Sequence, residues 1–254
     1  QRIHAVDITA RKLKSNAHLS LKDQQLRNNM RNAMDSLISK RIISMPDEDE
    51  RENLRELGNR IRARALSELR DLLELLDANL IKQGIQVHWA SSTDEANAIV
   101  LKIAQTRNAK QVIKGKSMVS EEMAMNEHLT EHGIEALESD MGEYIIQLDN
   151  EKPTHIIMPA IHKNAEQVGR LFEHRLALPY TDDVDSLIQS ARGILREKFF
   201  HADIGISGVN FAVAETGTLL LVENEGNGRM STTVPPVHIA VTGIEKGVEN
   251  LRDV

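Results

Sequence analysis

The sequence predicts an α/β protein: a three-layer α/β/α sandwich with a mixed sheet, preceded by an N-terminal helical extension. Three observations carry this. Residues 1–82 set apolar side chains at helical spacing without strand-like alternation. From residue 83 short apolar runs alternate with amphipathic stretches of about ten to fifteen residues, the pattern of parallel βαβ units. After residue 200, three apolar runs follow one another across glycine-bearing turns, which predicts hairpins and therefore some antiparallel pairing. Two domains are expected, a helical extension over 1–82 and an α/β domain over 83–254.

The elements follow in order. Residues 19–38 read as a polar helix with spaced apolar positions. Ser44-Met45-Pro46-Asp47 interrupts it, proline ending one helix and Asp47 capping the next. Leu54, Leu57, Ile61, Ala65, Leu69, Leu72, Leu73, Leu76 and Leu80 then recur as one long amphipathic helix, with a kink expected at Gly58 and a stop at Gly84. Residues 85–90 (IQVHWA) predict a strand. Ser92 and Glu95, in capping-box spacing, open a helix that runs to about residue 107. Strands are predicted at 111–114, 134–137 and 155–160, and helices at 120–131, 141–148, 164–176 and 182–198. The closing runs at 203–206, 209–214 and 218–222 read as hairpin strands, 238–241 as a further strand, and a helix is expected from residue 244. The final residues read as the interior of that helix, which suggests a fragment of a longer protein.

Composition narrows the function classes. Cysteine is absent, which excludes disulfides, a thiolate nucleophile, zinc–thiolate sites and any iron–sulfur cluster within these residues. The net charge of −7 and an aromatic content of 3% argue against a nucleic-acid partner, which needs a basic footprint and stacking platforms. Charge is uneven: residues 1–82 hold 16 Lys and Arg against 13 Asp and Glu, the remainder 15 against 25. No apolar run approaches the roughly eighteen residues of a membrane span, and no leader pattern is visible. The cytoplasm is the expected location.

Three stretches carry candidate chemistry. KGKSMVSEE, residues 114–122, lies where a strand gives way to a helix. It is not a phosphate-binding P-loop, because Lys110 stands where that motif requires its first glycine. It does place Lys116 and Ser117 at the carboxyl end of a strand, where open α/β sheets bind ligands, with Glu122 nearby as a proton-handling carboxylate. AETGT, residues 214–218, turns between two apolar strands. Gly217 serves the turn, while Glu215, beside apolar strand ends and Thr216, is a candidate general base. GNGRMS, residues 226–231, nearly spells a dinucleotide fingerprint but follows a hairpin strand, so that reading is rejected. Gly226, Asn227 and Gly228 let backbone approach a ligand. Arg229 offers a planar fork to an anion, and Ser231 and Thr232 add hydroxyls. His128 and His132 share a helix face, but their surroundings are those of a solvated surface, and no metal ligand set is predicted.

KGKSMVSEEMAMNEHL and HADIGISGVNFAVAETGTLLLVENEGNGRMSTTVPPVHIAVTGIEK, in that order, resemble the LUD-domain family, and more narrowly its branch of iron–sulfur subunits in bacterial lactate utilisation. The resemblance spans nearly the whole chain. It implies a fold similar to the NagB/RpiA/CoA-transferase-like group, and membership of an oxidoreductase complex that converts L-lactate to pyruvate with companion subunits and electron transfer. It further implies [4Fe–4S] clusters in a ferredoxin-like C-terminal region. That region's cysteines are absent here, so no cofactor is expected within this fragment, and the isolated fragment is expected to be inactive. A small anionic metabolite is the expected ligand. Two alternatives stay open: a non-catalytic scaffold that docks companion subunits, and a sugar-phosphate or CoA-ester enzyme of the same fold.

Overall fold

A computed structural model describes residues 12–254. Helices fill the described residues up to 82: α1 (Leu13–Ser20), α2 (Gln24–Ser44), α3 (Glu48–Ser67) and α4 (Leu69–Lys82); the part of the expected extension over 1–11 lies outside the described residues. α2 begins at Asp23, whose side chain accepts the Leu26 N–H, and ends before Pro46 as the sequence predicts. The long helix expected beyond it is not kinked at Gly58, which lies inside α3. It breaks at Glu68 instead.

The described residues form two compact units. One comprises those up to Glu48 together with Ile145–Leu187; the other comprises Asp49–Tyr144 and Ile188–Val254. Both are discontinuous in sequence.

In the first unit, the segment expected as a strand at 155–160 is irregular. It is held by side chains: Gln25 donates to the His162 carbonyl at 2.8 Å and Asn29 to the Ile161 carbonyl at 2.8 Å. Lys163 pairs with Asp149 at 2.5 Å and Glu151 at 3.0 Å. Asn164 then caps α9 (Ala165–Leu176) in a full capping box with Gln167.

The second unit carries the sheets. α5 (Thr93–Thr106) starts at Ser92, whose hydroxyl accepts the Glu95 N–H; the Glu95 carboxylate reaches back to Ser91 rather than Ser92. Residues 85–90, expected as a strand, form none: no neighbouring strand takes their backbone groups, and Trp89 turns instead to Asp77 of α4 at 2.9 Å. The strands β1 (Gln111–Lys114), β2 (Glu135–Glu138), β3 (Ile204–Ser207) and β6 (Val237–Ala240) form an all-parallel sheet in the order β2-β1-β3-β6. The helix expected over 120–131 is two, α6 (Met118–Glu122) and α7 (Met125–Glu131), separated by Ala124 in the left-handed region at φ 51°. α8 (Met141–Asp149) follows β2 and α10 (Val184–His201) precedes β3.

Both faces of the parallel sheet are covered by helices. Val112, Ala136, Ile204 and Ile206 pack on one face against Val100 and Ala104 of α5 and Met125 and Leu129 of α7. Gly205 faces the other way, and there α11 (Asn227–Thr233) lies directly on the strand: a Cβ on Gly205 would stand 1.8 Å from the Ser231 carbonyl oxygen. Alternation of side chains along β3 therefore sets one helix layer on each face. α11 falls in the GNGRMS stretch, which the sequence offered as a candidate ligand-binding segment without assigning it a helix.

The hairpin reading holds for β4 (Phe211–Val213) and β5 (Thr218–Leu220), which pair antiparallel. It fails for 203–214, because β3 and β4 belong to different sheets. The terminal helix expected from residue 244 is replaced by two 3₁₀ turns, Ile244–Lys246 and Leu251–Asp253, flanking β7 (Gly247–Val248). β7 pairs parallel to β4, completing a small mixed sheet in the order β5-β4-β7. Leu72, Leu76 and Leu80 of α4 bury against Val209, Ala212 and Ala214 beside it, each side chain stabilising by about 1.5–3 kcal/mol. Arg64 of α3 grips the chain end through Glu249 at 3.1 Å and Asp253 at 2.6 Å.

Candidate functional site at the carboxyl end of the parallel sheet

Strand order fixes where a ligand site belongs. From β1 the chain moves outward to β2, then returns to add β3 on the opposite side of β1. The order reverses at β1, and the crevice at such a switch point is where open α/β sheets bind ligands. The residues leaving β1 there are Gly115, Lys116 and Ser117.

The β1 exit is tightly built. Gly115 donates its N–H to the Ile206 carbonyl at 2.9 Å. Ser117, 5% exposed, caps α6 by accepting the Ser120 N–H, and it closely abuts Gly208 after β3. Lys114 and Glu138, register partners at the ends of β1 and β2, form an ion pair at 2.8 Å. Both are almost wholly buried. Lys114 also donates to the Ser120 hydroxyl at 3.0 Å, and Asn126 to Glu138 at 2.5 Å. Burial pushes the Glu138 carboxyl above the usual carboxylate range despite the pull of Lys114.

Lys116 is the more accessible cation. Its ammonium lies 3.4 Å from Glu143 in the first turn of α8, with about a quarter of the side chain exposed. Glu143 is raised above the ordinary range, first by desolvation and then by the neighbouring charge of Glu121, against the pull of Lys116. The α8 N-terminus is already satisfied by acidic side chains: Asp140 accepts from Gly142 and Glu143, and Glu225 accepts from Met141 at 3.3 Å. Glu225 is exposed as a residue, yet partial desolvation of its carboxyl and the charge of Asp140 push it upward.

The structure brings two of the three candidate stretches together. The position a Gly115 Cβ would occupy is 3.7 Å from the Ser231 hydroxyl and 3.8 Å from Gly228 Cα, so α11 sits against the turn that carries Lys116 and Ser117. Gly226, at φ 83°, precedes α11, and Asn227 is its first residue. Arg229 is largely exposed. Its side chain lies 3.9 Å from Glu223, which also accepts the Arg229 N–H at 2.7 Å. Thr232 donates its hydroxyl to the Arg229 carbonyl. Arg229, expected to offer its fork to an anionic ligand, is thus turned to the protein's own carboxylate.

Glu215, Thr216 and Gly217 lie elsewhere, in the β4–β5 turn of the small sheet. Gly217, at φ 66°, approaches the backbone of Asn79 so closely that a Cβ would stand 2.7 Å from its carbonyl carbon. Asn79 in turn donates to the Ala214 and Glu215 carbonyls. Glu215 is exposed, so the argument that it is a carboxylate tucked among apolar strand ends does not apply to it. Glu122 is exposed too, and the carboxylate that faces the cluster from α6 is its neighbour Glu121.

Sequence reasoning missed Glu121, Glu138, Asp140, Glu143 and Glu225. The one available signal was the strand-end position of ESD, residues 138–140, just before a helix, matching KGKS after the neighbouring strand. Ser207 and His238 also pair at 2.8 Å across β3 and β6, and burial lowers the histidine's proton affinity. Among the described residues no group of three or more His, Asp or Glu is arranged to hold a metal. No helix there is long and apolar enough to cross a membrane.

Residues 73–254 match the LUD domain. The chain is similar to proteins named lactate utilization protein B. It is 40% identical over 250 residues to that of Bacillus licheniformis, 98% of this chain and 52% of the relative. It is 39% identical to that of Bacillus pumilus, over 98% of this chain and 53% of the relative. To that of Bacillus subtilis strain 168 it is 38% identical, over 98% and 52%. The chain spans about half the length of the curated relatives it matches. It matches no solved structure. The LUD match covers the whole parallel sheet and the residues at its carboxyl end, and the chain belongs to the LUD-domain family.

Proposed function

We propose that this chain is the LUD-domain portion of a protein of L-lactate utilisation and that the crevice at the end of β1 takes up a small carboxylate on Lys116. The observation that carries the first half is the identity of about 40% over 98% of the chain to relatives named for lactate utilisation. The second half is supported by the position of Lys116, a partly exposed cation at the point where strand order reverses. The residues present do not fit the [4Fe–4S] clusters that the resemblance implies, since none is a cysteine. Electron transfer is accordingly assigned to other parts of the complex, and the role of this chain is to bind and orient the carboxylate.

Isothermal titration of L-lactate and of pyruvate into the chain tests this reading. Binding is expected, with affinity falling about tenfold or more in Lys116→Met, as befits loss of a charge-assisted contact. Absence of binding, or affinity untouched by the substitution, overturns it.

A docking role for companion subunits has one observation in its favour. α2 buries no residue, and Leu37, Ile38, Ile42 and Ile43 on it are exposed. Co-purification with the companion subunits is expected to be lost in Leu37→Glu/Ile38→Glu if α2 is the contact, and to persist if it is not.

A further inference from the structure

A second polar cluster lies in the irregular loop between α8 and α9, within the unit that contains Ile145–Leu187. Thr154, His162 and Glu151 form a chain of contacts there. The Thr154 hydroxyl lies 2.7 Å from His162 Nδ1, and His162 Nε2 lies 2.8 Å from the Glu151 carboxylate. These contacts assign the protons. A carboxylate only accepts, so His162 Nε2 carries the hydrogen that it donates to Glu151. In the neutral imidazole Nδ1 is then bare, and it accepts from the Thr154 O–H. Lys163 donates to the same Glu151 oxygen at 3.0 Å, so the carboxylate is fixed as well as fixing the ring.

The loop is closed without the Thr154 hydroxyl. The Thr154 N–H donates to the Pro159 carbonyl. Gln25 and Asn29 of α2 hold the His162 and Ile161 carbonyls, and Lys163 ties the loop to Asp149. Thr154 is exposed, and 22% of the His162 side chain is exposed. A hydroxyl, an imidazole and a carboxylate, each within hydrogen-bond reach of the next, are the parts of an activated nucleophile. The neighbouring residues suit an acyl substrate. Ile156 and Ile157, two and three residues on from Thr154, are 62% and 68% exposed and offer apolar surface to an aliphatic chain. His155 Nδ1 accepts from the N–H groups of Ile157 and Met158, so the neutral ring carries its proton on Nε2, a donor next in sequence to the nucleophile.

We propose that Thr154 is the nucleophile of an esterase site, with His162 as its general base, Glu151 as the positioning residue and a short aliphatic acyl ester as substrate. This site is separate from the carboxylate reading of the β1 exit and does not rest on it. Thr154 Oγ1 attacks the ester carbonyl carbon while its proton passes to His162 Nδ1. The bond to the leaving oxygen breaks, and that oxygen takes the proton from His162 as the alcohol departs. The acyl group remains on Thr154. Water then attacks the acyl carbon and gives a proton to His162. His162 returns it to Thr154 Oγ1 as the carboxylic acid leaves. The sum is ester plus water to acid plus alcohol. Glu151 stays bonded to Nε2 throughout and steadies the imidazolium in both steps.

Hydrolysis of 4-nitrophenyl butyrate by the whole chain tests this, with mass spectrometry of protein quenched during turnover. Release of 4-nitrophenol is expected, with a butyryl group on Thr154. Thr154→Val keeps the shape of the side chain and removes the hydroxyl. It is expected to lower the rate at least about a hundredfold, and His162→Ala by as much. Thr154→Ser is expected to retain turnover, which separates loss of the hydroxyl from loss of the fold. Glu151→Gln is expected to lower kcat more than it changes KM. It is also expected to move the acid limb of the pH–rate profile to lower pH, because the imidazolium loses its carboxylate. No turnover by the unaltered chain overturns the proposal. So does turnover that persists in Thr154→Val, or a butyryl group found only on other residues. A pH profile unmoved in Glu151→Gln overturns the positioning role of Glu151.

Discussion

The exit of β1 and the turn between β4 and β5 look alike in sequence and differ in physics. Each sets a glycine and a carboxylate beside the end of an apolar strand. In the β4–β5 turn, the backbone of Asn79 accounts for Gly217, and Glu215 stands in solvent. At the β1 exit, ionisable groups from β1, β2, α6, α8 and the loop before α11 converge under partial burial, and burial with neighbouring charges raises the proton affinity of Glu138, Glu143 and Glu225. A glycine next to an acid is thus no sign of a site. Burial with several charged neighbours is.

The largest expected effect comes from breaking the buried pair. Lys114→Met leaves Glu138 without its ammonium and is expected to cost about 3–5 kcal/mol at neutral pH, measured by denaturant unfolding. The carboxyl already titrates high, and without Lys114 it titrates higher, so the folded variant binds a proton that the unfolded chain releases above about pH 4.5. The deficit therefore grows as pH rises and nearly vanishes below that value, where Glu138 is protonated in both states. Lys114→Met/Glu138→Leu is expected to recover most of the loss. No recovery would mean that the pair orders the β1 exit beyond its charge balance.

Two glycine substitutions compare the regions directly. Gly205→Ala drives a Cβ to 1.8 Å from the Ser231 carbonyl oxygen, so α11 must shift, for about 3 kcal/mol at the upper end of overpacking costs. Because α11 lies against the Lys116 turn, carboxylate affinity is expected to fall as well. Gly217→Ala meets Asn79 and a positive φ, and is expected to lower stability by about 1–2 kcal/mol while leaving carboxylate affinity unchanged. Equal effects on affinity would erase the distinction between the two turns.

The smallest expected effect is that of Glu215→Gln, within about 0.5 kcal/mol in stability and without consequence for pyruvate or lactate binding. A tenfold loss of affinity there would return the β4–β5 turn to the site.

Much of the fold was legible because its signals are local. Ser92, Ser117 and Asn164 announce helix starts by hydroxyl or amide groups that meet backbone N–H groups within three residues, and all three do so. Residues 85–90 and 155–160 misled because alternation reports only a fit to a half-buried surface. A strand also needs a neighbour, and neither segment has one. The helix α11 was hidden by Gly226, Asn227, Gly228 and three hydroxyl residues, poor helix formers that packing on β3 overrides. Lys116 and Ser117 were legible from their place at a strand end, whereas Glu121 and Glu143 were not. Their interaction joins positions 22 residues apart that only the parallel crossover brings together.

By itself the sequence determined the α/β class, the helical first third, the strand ends that carry charge and the family, because propensity, periodicity and residue order reside in the chain. Tertiary structure alone decided which glycine-bearing stretch meets which. It drew the residues around Arg229 into a short helix beside Lys116, turned Arg229 to Glu223, and left Glu215 in water. The physical reason is that burial and electrostatic coupling depend on distance in space, and strand order, rather than sequence separation, sets that distance.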